Sequence, residues 1–285
     1  MRKSRIQGTW LTLLMLLLVM LVWYFARLAL LPEGPMEARW HYLLLIAQEA
    51  LLFGIPALML RPWWSHGVHR SPRWRSGCWL GLLAGVTLAV AAVPVLSWWS
   101  SLMRVAPQET PLPASGLDWT LMVLAMVVVP ALVEEAFFRG GILCGLARGV
   151  GGKAAFALTV VIFTMMHGRV AGLPAHLACG ALLTLIMLRY GKLWPSIAAH
   201  LAYNAATLGM GWAGVTPSWS ALPAAAALMV IVAVMLRKTV WCDHKEFDVV
   251  DITLGCVTMA VLGFYFMVQL REGAAESKDE RGMRR

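Results

Sequence analysis

The chain has 285 residues, of which 60% are hydrophobic and 14% charged, with a mean hydropathy of +0.70. A soluble domain of this length needs far more polar surface to cover its core, so lipid is the solvent for much of the chain. The net charge of +9 does not mark a nucleic-acid binder, because the basic residues fall between apolar runs rather than along an aromatic-studded stripe.

Roughly 20 apolar residues cross the hydrocarbon core of a bilayer. By that measure the predicted spans are 10–30, 42–60, 78–103, 119–143, 154–166, 173–188, 193–210, 219–236 and 252–270, with the fifth and sixth short. The expected fold class is therefore all-α, a polytopic transmembrane helix bundle of about eight to nine spans with its active site inside the bundle. The first run follows Arg2, Lys3 and Arg5, but it is longer than the apolar part of a signal peptide and no small-x-small site follows it, so it reads as a retained anchor.

With a cytoplasmic amino terminus, one side of the membrane carries Arg61, Arg70, Arg73 and Arg75, the stretch from Arg139 to Lys153, Arg189 and Lys192, and Arg237, Lys238 and Lys245. The other side carries Arg27, Arg39, Arg104 and Arg169 before the tail, the asymmetry of the positive-inside rule. The expected location is thus an integral protein of the cell (inner) membrane with its amino terminus cytoplasmic. Tryptophans 63, 64, 98, 99, 119, 194 and 219 sit at span ends, where an amphipathic ring suits the headgroup region.

Residues 104–118 form the clearest long loop, rich in proline, and read as a connector rather than a gate. The charged tail after position 270 is expected to be disordered. The 5 cysteines include no CxxC pair and fall mostly within apolar stretches, so they signal neither a disulfide framework nor a zinc cluster. Three regions result: amino-terminal spans and loop (1–118), a core (119–212), and carboxy-terminal spans and tail (213–285).

Ionisable groups at membrane depth cost several kcal/mol unless paired or hydrated, so each invites a functional reading. The fourth span holds Glu134 and Glu135, followed by Arg139. Positions 135 and 139 share a helix face and can pair, while Glu134 points about 100 degrees away and can face a cavity. The paired carboxylate would hold the helix; the other could accept a proton from water. Against this stands a bland alternative in which all three residues snorkel to water at a cytoplasmic helix end.

The fifth span ends with Phe163 and His167 on one face, and the seventh does the same with His200 and Asn204. If these faces converge, Glu134 and His167 could activate one water while His200 and Asn204 donate to a developing oxyanion. A zinc ion, if any, would take Glu134, His167 and His200, but HExxH is absent and an amide is a poor zinc ligand. No cofactor is expected on that balance. Ser196 and Thr164 lack the spacing of a nucleophile. Glu49 and Gln48, in the second span, suit either a helix contact or a substrate path. His176 reads as interfacial, and Gly140, Gly141 and Gly145 read as close-packing positions.

In these residues the sequence resembles the CPBP (Abi) family of intramembrane proteases, which includes the type 2, Rce1-like CAAX prenyl proteases and bacteriocin-processing or immunity relatives. The family's EExxxR, FxxxH and HxxxN stand here as Glu134, Glu135 and Arg139; Phe163 and His167; His200 and Asn204. The resemblance implies a glutamate-dependent intramembrane peptidase, formerly classed as metallo. In it Glu134 and His167 activate water, His200 and Asn204 form the oxyanion site, and Glu135, Arg139 and Phe163 support them. It also implies a membrane-anchored protein or peptide as substrate. Two other classes remain: a non-catalytic membrane immunity or scaffold protein, and a proton-coupled transporter, against which the lack of paired repeats with broken helices counts.

Overall fold

A computed structural model describes residues 11–22, 37–63, 74–103, 111–167 and 171–214. Among them no strand occurs, and the regular structure is helical: α1 (Leu11–Val22), α2 (Ala38–Leu60), α3 (Trp74–Met103), α4 (Gly116–Gly149), α5 (Gly152–Met166), α6 (Leu173–Tyr190) and α7 (Leu193–Trp212). Within these helices, 4 stretches are long and apolar enough to cross a membrane: Ala38–Leu60, Cys78–Ser100, Gly116–Gly149 and Leu173–Tyr190. The chain is an integral membrane protein. The two spans predicted at 219–236 and 252–270, and the charged tail, lie outside the described residues.

Helix α4 starts at Gly116 rather than at the predicted 119. Ser115 caps it by accepting the Asp118 backbone N–H at 3.2 Å, and Asp118 reaches back to accept the Ala114 N–H at 3.3 Å. The signature Ser115-x-x-Asp118 is therefore a helix start inside what reads as loop. The end of that loop is tied down, since the Tyr42 hydroxyl donates to the Pro111 carbonyl at 2.6 Å and Arg39 pairs with Asp118 at 3.4 Å.

Both α2 and α4 widen into π-helix just before a proline: Ala50–Gly54 precedes Pro56, and Leu124–Val128 precedes Pro130. A proline has no N–H to donate and its ring crowds the carbonyl four residues back, so a wider turn relieves the clash without ending the helix. A further π stretch, Glu135–Leu143, carries the motif region itself.

The two helices run in the same direction side by side. Arg39 meets Asp118, Gly54 faces Val133, and Leu60 lies against Gly141, so contacts advance together along both. A Cβ at Gly141 would stand 2.6 Å from Leu60 Cδ1, and one at Gly145 would run into Thr12 of α1. These two glycines therefore permit close packing, as their spacing predicts. Gly81 and Gly85 of α3 form a G-x-x-x-G pair not singled out from the sequence, and α7 crosses directly on it. A Cβ at Gly85 would strike the Ala199 carbonyl and come within 2.9 Å of the Tyr203 nitrogen. Without a hydrophobic driving force between helices in lipid, such backbone contact is what holds two of them together.

The buried side chains form two main cores. One joins α1, α2, α4 and α5 through Leu16, Phe53, Leu60, Phe137, Phe138, Ile142 and Ile162; the other joins α3, α6 and α7 through Ala84, Leu88, Leu183, Ile186 and Ala199. Outward-facing Leu14, Leu51, Leu58 and Trp79 are exposed and apolar, as lipid contact requires. Gly85→Val should lower the thermal midpoint of the detergent-solubilised protein, by overpacking worth about 1–3 kcal/mol, whereas Gly116→Ala, with open space around it, should be close to neutral.

Candidate active site

The polar groups collect on the seam between the two cores. Glu135 and Arg139 are both 0% exposed, and Arg139 is the largest fully buried side chain among the described residues. Their helix continues well past them to Gly149, so they do not sit at a helix end and do not snorkel to water. The pair forms as the four-residue spacing predicts, Arg139 Nη1 donating to Glu135 Oε1 at 2.7 Å, although the local turn is π rather than α.

A buried guanidinium and a buried carboxylate are each costly until every polar atom is served. Arg139 turns Nη2 to the Gly180 carbonyl of α6 at 3.2 Å, and its Cζ lies 4.4 Å from the centre of the Phe163 ring of α5. Glu135 accepts from the Ser196 hydroxyl of α7 and faces Nδ1 of His200, also on α7, at 3.0 Å. One ion pair thus gathers α4, α5, α6 and α7. With a carboxylate as its neighbour, His200 Nδ1 is the donating nitrogen, and Nε2 stands on the far edge of the ring.

Phe163 sits at the centre of this gathering. Its ring lies 4.5 Å from that of His167 and 6.2 Å from that of His200, centre to centre. Gly180 permits this approach, since a Cβ there would stand 3.0 Å from Phe163 Cδ1.

Glu134 is 6% exposed and faces away from the ion pair. Its Oε2 is buried with no hydrogen-bond partner among the described residues and lies 3.9 Å from His167 Nε2. His167 Nδ1 faces the Phe163 carbonyl at 2.8 Å. A carbonyl only accepts, so Nδ1 carries the hydrogen, and in the neutral ring Nε2 presents a lone pair toward Glu134. An oxygen at hydrogen-bond distance of about 2.8 Å from both atoms would subtend about 90 degrees between them, close to the angle between the two hydrogens of water.

Asn204 follows His200 by one turn on α7 and is half-buried, holding no hydrogen bond to the other site residues among those described. Glu49, one of the second-span residues noted from the sequence, faces this region from α2. Its Oε2 is buried without a hydrogen-bond partner among the described residues, and its charge acts on Glu134. Among the described residues no three His, Cys, Asp or Glu side chains are grouped to hold a metal.

Three participants escape the sequence reading. Ser196 stands four residues before His200 on the same face of α7, a spacing that could have placed it beside Glu135. Gly180 carries no sequence signal of its role. The third is the contact that His176 makes, its ring lying 4.0 Å from that of His167. The two histidines line an open cleft of about 330 Å³ together with Leu96 and Ser100 of α3 and with Ala171 and Gly172.

Residues 116–206 match the family model described as type II CAAX prenyl endopeptidase, Rce1-like. No curated protein and no solved structure matches the chain. The matched stretch contains all the charged and imidazole groups described above except Glu49.

Removing one member of the central pair leaves the other charge buried alone. Glu135→Gln and Arg139→Met should each destabilise by about 3–5 kcal/mol, read as a lower thermal midpoint and lower yield of monodisperse protein. Ser196→Ala removes one hydrogen bond to a charged group and should cost about 1.5–3 kcal/mol.

Proposed function

From the match of residues 116–206 to the Rce1-like family model of type II CAAX prenyl endopeptidases, we propose that the chain hydrolyses a peptide bond in a membrane-associated protein or peptide by activating water with Glu134 and His167. The observation that carries this reading is the facing pair of acceptors, Glu134 Oε2 and His167 Nε2, 3.9 Å apart inside a helix bundle. Two acceptors so disposed suit a water that donates one hydrogen to each and turns its lone pairs outward, toward an electrophilic carbon.

The sequence of bonds follows from that arrangement. As the water oxygen attacks the scissile carbonyl carbon, its proton passes to Glu134, and the carbonyl π electrons move onto oxygen. His200 through Nε2–H and Asn204 through its side-chain amide are the proposed donors to that oxyanion. The tetrahedral intermediate collapses with cleavage of the carbon–nitrogen bond, and Glu134 returns its proton to the leaving nitrogen. Glu135 and Arg139 take no part in the transfers; they fix His200, Ser196 and Phe163 around them.

In this mechanism no metal is needed. The water is held by Glu134 and His167 alone, and the alternative, a zinc ion on Glu134, His167 and His200 Nε2, is what chelation tests. The substrate class is a membrane-associated protein or peptide, of which a prenylated CAAX tail is one member. The asymmetry of Lys and Arg supports an amino terminus in the cytoplasm and residence in the cell (inner) membrane.

Glu134→Gln keeps the shape of the side chain and removes the base. Turnover of a farnesylated CAAX peptide by purified protein should fall by about 10²- to 10⁴-fold while the thermal midpoint is unchanged. In cells, the membrane proteome of the Glu134→Gln strain should accumulate an uncleaved precursor absent from the wild type. Undiminished turnover by the variant would eliminate the proposed base. Chelation with 1,10-phenanthroline should leave wild-type turnover intact; loss of activity restored by zinc would replace the mechanism with a metal-assisted one.

A further inference from the structure

His167 occupies an awkward place for a group that must hold still. Helix α5 ends at Met166, so no further turn of its own helix shields the ring, and its side chain is 25% exposed, against 8% for Glu134. Two contacts restrain it from within α5, the bond from Nδ1 to the Phe163 carbonyl and the Phe163 ring itself. Both lie on the same short segment and move with it.

From α6, the ring of His176 in the first turn of that helix meets His167. Its centre lies 4.0 Å from that of His167, with 31° between the planes, so the two imidazoles overlap as an offset stack. The backbone makes room for this pose. A Cβ at Gly172, one turn earlier, would come within 2.9 Å of His176 Nδ1 and 3.1 Å of Nε2, so the ring folds back over a residue that has no side chain. Gly172 has φ −87°, which alanine also adopts; what it supplies is space, not a special backbone conformation.

We propose that His176 is a positioning residue that stacks on His167 and holds its Nε2 in register with Glu134. The proposal rests on the hydrolase reading above and extends the working set of residues from α5 to α6. Both imidazoles line the open cleft to which Leu96 and Ser100 of α3 also contribute. Ordering an imidazole at a helix end removes rotamer freedom that would otherwise be lost at each turnover, and misplacement of a catalytic group by about 1 Å can cost on the order of 100-fold in rate.

The test uses the full chain in detergent micelles with a farnesylated CAAX peptide as probe. His176→Ala should lower kcat by about 10- to 100-fold with KM unchanged, and His176→Phe, which restores a flat ring, should recover most of the loss. Gly172→Ala should reproduce the defect without removing either imidazole, because its Cβ displaces the His176 ring. In protein labelled with ¹³C-histidine, the His167 Cε1–H resonance, assigned by its disappearance in His167→Gln, should shift in His176→Ala and in Gly172→Ala as the ring current of the stacked neighbour is lost. If His176→Ala fails to fold, the Phe and Gly172→Ala variants carry the comparison. Wild-type kcat in folded His176→Ala or in Gly172→Ala, or an unmoved His167 resonance, would overturn the proposal. A wild-type protein inert toward the peptide, with intact resonances, would instead fell the prenylated CAAX tail as its substrate, and the His167 resonance in His176→Ala and Gly172→Ala would then decide the proposal.

Discussion

The buried ion pair between Glu135 and Arg139 is the constraint around which the rest is organised. Neither group can be left alone in a lipid-facing bundle, where an unpaired charge is costly. Their pairing at 2.7 Å still leaves hydrogen-bonding capacity, most of which is taken up by groups from two other helices: the Gly180 carbonyl of α6, and the Ser196 hydroxyl and His200 Nδ1 of α7; Arg139 Nε has no hydrogen-bond partner among the described residues. The aromatic face of Phe163 covers the guanidinium. In satisfying one pair, the chain fixes the relative heights and rotations of α4, α5, α6 and α7.

That fixing has a chemical by-product. The same four helices that serve Arg139 bring His167 and His200 to either side of Phe163, and the residue preceding Glu135 is turned away from the pair toward His167. Two adjacent glutamates therefore divide their duties by direction. Glu135 faces cations and donors; Glu134 faces an imidazole and keeps an oxygen without a hydrogen-bond partner among the described residues. Buried polar networks of this kind favour the arrangement that serves most of their members, because each unserved buried group is costly. Glu49, reaching the same region from α2, adds a carboxylate from outside the matched family core.

The helices themselves are held by two devices suited to lipid. Glycines at 81, 85, 141 and 145 let the backbone or a side chain of a neighbouring helix come into direct contact, where dispersion rather than water exclusion drives association. Prolines 56 and 130 leave their helices continuous because a π turn precedes each. The second of these places the wide turn just ahead of the motif, and the third π stretch carries Glu135 and Arg139 themselves. Wider turns rotate side chains by less per residue than an α-helix, so the face on which each motif residue stands is set by this departure as much as by its spacing.

What the sequence determined alone was whatever depends on local spacing and on the bilayer. The apolar runs located the described helices, and in Ala38–Leu60, Cys78–Ser100, Gly116–Gly149 and Leu173–Tyr190 they are long enough to meet the demand of lipid for about 20 apolar residues per crossing. The four-residue spacings of Glu135 with Arg139, Phe163 with His167 and His200 with Asn204 were legible, because a helix face repeats at that interval whether or not anything packs on it. What only the tertiary structure decided was which faces meet. The stacking of His176 on His167, the role of Gly180 as both acceptor and gap, and the docking of Ser196 on Glu135 all join residues on different helices. Their proximity comes from satisfying a buried charge in three dimensions, and no periodicity along one helix encodes it.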